Sequence, residues 1–79
     1  MWIRSQNKEV IVPLGSLIIH EEYSDDLTEG IKIESYCIRC SSINVGRYKT
    51  KEICIKILDD IENLIPKYKE NSTFIMPSE

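Results

Sequence analysis

Apolar residues come in short, turn-broken runs through the first part of the chain, then at helical spacing beyond Thr50. Residues 2–6 read as a strand followed by a polar Asn7-Lys8 turn, and 9–14 as a second strand around Val10-Ile11-Val12. Pro13 has no N–H to give to a ladder, so this second strand is expected to lie at an edge or to end there. Gly15-Ser16 interrupts the chain, 17–23 reads as a third strand, and 31–40 as a fourth. The fourth strand changes phase: Ile31 and Ile33 fall on one face, Tyr36, Ile38 and Cys40 on the other. A bulge near Ser35 restores a single apolar face, because one extra residue reverses the side-chain sense; a strand apolar on both faces is the alternative. Residues 43–49 predict a fifth strand after a Ser41-Ser42 turn, with Gly46 marking a close approach.

The helix is the plainest element. Thr50 is placed to cap it, although Ile53 at the third helical position leaves the capping box incomplete. At 100° per residue, Ile53, Cys54, Ile57, Leu58, Ile61, Leu64 and Ile65 fall within an arc of about 140°. Glu52, Lys56, Asp59, Asp60 and Asn63 take the opposite side, with Glu52 and Lys56 in favourable i,i+4 order and Ile55 the apolar exception. Pro66 ends the helix near Ile65, residues 67–72 form a polar connection, and 73–76 form a last strand stopped by Pro77.

These elements predict one α+β domain over residues 1–79: an antiparallel, twisted sheet of five or six strands with one amphipathic helix packed across one face. Trp2-Ile3 and Phe74-Ile75 are short and apolar, so the last strand is expected to return beside the first. A helix of about fifteen residues is ~22 Å long and ~10 Å wide, roughly half the width of such a sheet. Strands are apolar on both sides at Val10 with Ile11, Ile18 with Ile19, and Ile33 with Tyr36 and Ile38, so either the sheet curls on itself or another subunit covers it. Val10, Ile11, Ile18, Ile19, Tyr36 and Ile38 are the candidate interface residues, with Ile55 on the helix, and a homo-oligomer is expected.

Charge sharpens the picture. The 79 residues carry −3 overall, which argues against a dedicated binder of nucleic-acid backbone. Residues 1–30 hold two basic and six acidic side chains, and the acids from Glu21 to Glu29 read as a solvated loop without calcium-loop spacing. The longest apolar run is Leu17-Ile18-Ile19, too short for a membrane span or an export signal. Cys37, Cys40 and Cys54 cannot all pair in one chain, and a reduced, cytoplasmic protein of a bacterial cell is expected.

Candidate chemistry is sparse. Cys37-Ile38-Arg39-Cys40 lies in a strand pattern rather than at a helix start, where thiol redox chemistry needs its nucleophile. With His20 and Cys54 it makes four zinc-type ligands, but residues three apart in a strand face opposite ways, so no metal or other cofactor is predicted. His20 and Glu22 share a face without any nucleophile motif, so His20 reads as a surface or interface residue and no catalytic activity is predicted. The best ligand candidate is Arg47, Tyr48, Lys49 and Lys51 with Lys56 one turn on, beside the helix N-terminus. There an anion or nucleotide would meet positive charge and a ring.

Three stretches carry a resemblance: Met1-Trp2-Ile3-Arg4-Ser5-Gln6, the run from Gly46 to Glu52 leading into Ile57-Leu58-Asp59-Asp60-Ile61, and Phe74-Ile75-Met76-Pro77. They resemble short, uncharacterised proteins of Gram-positive bacteria, their phages and mobile elements, while residues 13–42 depart freely. The resemblance brings no catalytic residues with it. It implies a small accessory product of a phage or integrated element, and the expected function is non-catalytic binding, with a host defence protein as the target to be countered. An oligomeric sponge for a signalling nucleotide at Arg47, Tyr48, Lys49 and Lys51 is the alternative, and a structural subunit without ligand the third.

Overall fold

The computed structural model describes residues 1–26, 30–67 and 72–78. Its strands are β1 (Trp2–Arg4), β2 (Ile11–Pro13), β3 (Leu17–Asp26), β4 (Gly30–Cys40), β5 (Ile43–Tyr48) and β6 (Thr73–Ile75). The helix α1 (Lys51–Leu64) follows β5 and ends in a 3-10 turn, Ile65–Lys67. Thr50 caps it as expected, its hydroxyl accepting from the Ile53 N–H at 3.2 Å.

The strands do not make one antiparallel sheet. They form two sheets of three, in the orders β2-β1-β6 and β3-β4-β5. The last strand does return beside the first, but parallel to it, Ile3 opposite Phe74. Pro13 ends β2 on an edge of the first sheet, where its missing N–H leaves no gap in a ladder. The sheets separate because the chain turns sharply after Arg4. Ser5 bonds through both backbone and hydroxyl to Val10, and Lys8 takes a left-handed φ of 67°. Within that turn Gln6 reaches β5: its N–H donates to the Val45 carbonyl, and its side-chain oxygen accepts from the Arg47 N–H at 2.9 Å. A side-chain amide thus stands where a sixth strand would have continued the ladder.

Two bulges set which residues face inward. Glu22 pairs with Ser35 and Tyr23 with Ile33, leaving Glu34 as the extra residue in β4. This puts Ile31, Ile33, Tyr36, Ile38 and Cys40 on one face, as the phase change requires. In β5, Val45 is the extra residue between Gly46 and Asn44, and it turns into the core at 1% exposure. The turn from β4 to β5 has positive φ at both Ser41 and Ser42, which matches the right-handed strand twist.

The core lies where the two sheets and the helix meet. Ile3 and Met76 come from the first sheet and its tail, Ile38, Cys40, Val45 and Tyr48 from the second, and Cys54, Ile57 and Ile61 from α1. Tyr48 lies against Gly46, where an added Cβ would come within 2.7 Å of its ring, and donates its hydroxyl to the Pro77 carbonyl at 2.7 Å. Met76 donates its N–H to the Arg4 carbonyl and the Ser78 carbonyl accepts from the Gln6 side-chain amide, so residues 76–78 are fastened to the first sheet and its turn.

The molecule is long for its size, 50 × 22 × 20 Å, with a radius of gyration of 13.9 Å. About 11.6 Å would suit a compact chain of this length. The excess is the far half of the β3–β4 hairpin. Residues 24–26, past the predicted end of the third strand and read from sequence as loop, belong to β3 and pair with β4 as far as Asp26 opposite Gly30. The remainder of the acidic stretch, 27–29, and most of the polar connection, 68–71, lie outside the described residues.

Candidate functional site

The proposed basic site does not converge. Successive strand residues point to opposite faces, so Arg47 is exposed while Tyr48 turns inward and is 4% exposed. The Tyr48 ring is packed in the core, and burial pushes its phenol up to about 12. Arg47 is held on the outer face by a two-bonded pair with Glu22, at 2.6 and 3.0 Å. That pair lowers the Glu22 carboxyl from its ordinary value and raises the guanidinium. Lys56 lies 3.4 Å from Asp60 rather than beside Glu52. Lys49 and Lys51 are exposed on either side of the helix cap.

The predicted interface residues scatter as well. Val10 and Ile11 are exposed on the first sheet, Ile18 on the outer face of the second, and Ile55 on the helix. Ile19 and Tyr36 are half-buried against the core. Ile38 is fully buried, a core residue and not an interface one, because it lies two residues from Cys40 on the same face of β4 and packs with the core side of the helix.

The cysteines follow strand geometry. Cys40 faces the core, where its thiol lies 3.5 Å from the Pro13 carbonyl, and Cys37 takes the other face. Cys37 is buried in the rung His20–Cys37–Arg47, beside the Arg47–Glu22 pair. The His20–Glu22 pairing imagined from sequence is replaced by Glu22 with Arg47. Among the described residues, all three cysteines are free and no His, Cys, Asp and Glu side chains group as a metal site.

What the fold does assemble is an arm. β5 reaches only as far as Tyr48, opposite Tyr36, so beyond Tyr36 β4 has β3 alone beside it. Six residues of strand carry this two-stranded extension about 20 Å from the core. Its inner face continues the apolar stripe of Ile38 and Tyr36 through Tyr23, Ile33 and Ile31. Neither the helix nor the first sheet reaches these three, which are 58%, 45% and 71% exposed. Isolated two-stranded hairpins are marginal in water, and one that also bares a stripe of isoleucine and tyrosine points to contact with something else.

The arm is also the acidic end of the molecule. Between Glu21 and Glu34 the sequence has six acidic residues and one lysine, Lys32. The Tyr23 hydroxyl bonds to the Glu21 carboxylate, which raises its pKa. Tyr23, Ile31 and Ile33 were not among the sequence candidates. Their signal was the phase change of β4 combined with a fifth strand too short to accompany its whole length. Shallow grooves among the described residues include a polar one of about 300 Å3 beside Gln6 and Arg47, an apolar one of about 270 Å3 between Leu17, Leu58 and Ile65, and one of about 210 Å3 between Met1, Leu64 and Phe74. No helix among the described residues is long and apolar enough to cross a membrane. Comparison with protein-family models, with curated proteins and with solved structures found no match.

Proposed function

We propose that this chain is a non-catalytic accessory protein that acts by binding another protein through the β3–β4 arm. The observation that carries this reading is the stripe of Tyr23, Ile33 and Ile31, exposed on a two-stranded extension that adds nothing to the core. The resemblance of the two ends and the helix to phage and mobile-element proteins supports a host protein as the target, a defence protein included. Nothing in the placement of Arg47, Tyr48, Lys49, Lys51 and Lys56 favours a nucleotide sponge, since the ring is packed away and Arg47 is already paired.

The test is comparative capture from Gram-positive cells. A tagged wild-type chain is set beside a stripe variant (Tyr23→Ser, Ile31→Ser, Ile33→Ser) and a basic-site variant (Lys49→Glu, Lys51→Glu). The reading predicts a stoichiometric protein partner that the stripe variant loses and the basic-site variant keeps. Loss in the basic-site variant alone, or a small-molecule adduct retained by the stripe variant, contradicts it.

A further inference from the structure

We propose that the arm engages its partner by strand addition, taking an extended, basic segment along the free edge of β3; this rests on the arm being the binding part. β3 is ten residues long, about 33 Å, and lies at the edge of its sheet with β4 on one side only. Long edges are ordinarily blunted by proline, charged side chains (lysine above all), a bulge or a cover. Of these β3 carries only acids, Glu21, Glu22, Asp25 and Asp26, which repel another acidic edge and admit a basic one. β3 has no proline and no lysine, and the bulge of this hairpin lies in β4, so the edge runs unbroken from Leu17 to Asp26. The other outer strands of the described fold do not compare. β2 and β6 have three residues each, β2 ending in Pro13, and β5 is bulged at Val45 and met by Gln6.

Charge decides between occupants. A second copy pairing its own β3 along the whole edge, antiparallel about a two-fold axis, would set Glu21 opposite Glu22 and Ile18 opposite Asp25. Like charges, and apolar against acidic residues, oppose that register. The stretch from Glu21 to Glu34 carries a net −5 within a chain of −3, leaving the rest at +2. The complement to β3 is therefore a segment with apolar residues beside Leu17 and Ile19 and lysine or arginine beside Glu21 and Asp25. Backbone bonds along the edge would supply affinity and the alternating side chains selectivity, as in other β-augmentation complexes.

The probe is a labelled ten-residue peptide with valine, valine, lysine, valine and lysine along one face, to meet Leu17, Ile19, Glu21, Tyr23 and Asp25, and threonine along the other. It is titrated against the full chain and read by fluorescence anisotropy and hydrogen exchange. Strand addition predicts at least tenfold weaker binding of the peptide with glutamate in place of lysine and of the lysine peptide with a central proline. The Glu21→Lys, Asp25→Lys variant should lose at least tenfold, and amides of 17–26 should gain protection. Equal binding of the proline peptide, or protection elsewhere, overturns the proposal. So does a wild-type dimer in sedimentation whose β3 amides are already protected. A stripe variant that loses its cellular partner while the Glu21→Lys, Asp25→Lys variant keeps it retains the arm as binding part and overturns strand addition.

Discussion

Replacing Gly46 by alanine perturbs the point where strand, ring and tail meet. An ideal Cβ there would lie 2.7 Å from Cε2 and 2.8 Å from the hydroxyl of Tyr48, distances that real Cβ contacts do not reach. The ring has little freedom to yield, being buried and tied through its hydroxyl to the Pro77 carbonyl. Overpacking of this kind costs about 1–3 kcal/mol, and the strained hydroxyl bond adds about 1. Gly46 is not in the left-handed region, so alanine recovers about 0.4–1 kcal/mol by restricting the unfolded chain. The net expectation is a loss of about 2 kcal/mol, which lowers Tm by roughly 10 °C in a domain this small. Thermal and urea unfolding followed by circular dichroism measure it. In a Tyr48→Leu background the same alanine should be nearly neutral. A Gly46→Ala protein as stable as wild type, or an equal loss with the ring removed, would refute the reasoning.

Three other expectations are more direct. Ser42, at φ 73°, should gain about 0.5–1 kcal/mol on replacement by glycine, measured by urea midpoint, since glycine carries no Cβ penalty there. The Tyr48 phenol ionises near pH 10 unfolded but is held to about 12 folded, so its stability contribution is whole below pH 10 and disappears as pH rises toward 12; Tyr48→Phe should flatten that alkaline slope in pH-dependent denaturation. Ile38→Ala should cost about 2–5 kcal/mol by the same assay, while Ile18→Ala, 58% exposed, should stay within about 0.5.

How far the sequence carries depends on the range of the interaction involved. The helix and its Thr50 cap, the edge position of Pro13 and the bulge in β4 all follow from local pattern. Side-chain alternation and a missing N–H act within a few residues, so each leaves a readable trace. The division into two sheets does not: the turn from Ser5 to Val10 reads only as a turn, and the bonds Gln6 then makes to Val45 and Arg47 lie some forty residues away. Asp25 and Asp26, past the predicted end of the third strand, read as a loop by composition alone. As strand they lie opposite Ile31 and Gly30 in register, and no property of the acids announces those partners. Tyr48 does not join the basic residues for a simpler reason: Arg47 and Tyr48 are neighbours in sequence and therefore face opposite ways in a strand. The stripe of Tyr23, Ile31 and Ile33 was within reach once the bulge and the length of β5 were taken together.

Site-specific photo-crosslinking tests the arm most directly. Benzoylphenylalanine replaces Tyr23 in one protein and Lys49 in another, each expressed in Gram-positive cells and irradiated before lysis. The account predicts a discrete protein crosslink from position 23 and none from position 49. A crosslink from position 49 with none from position 23 would contradict it.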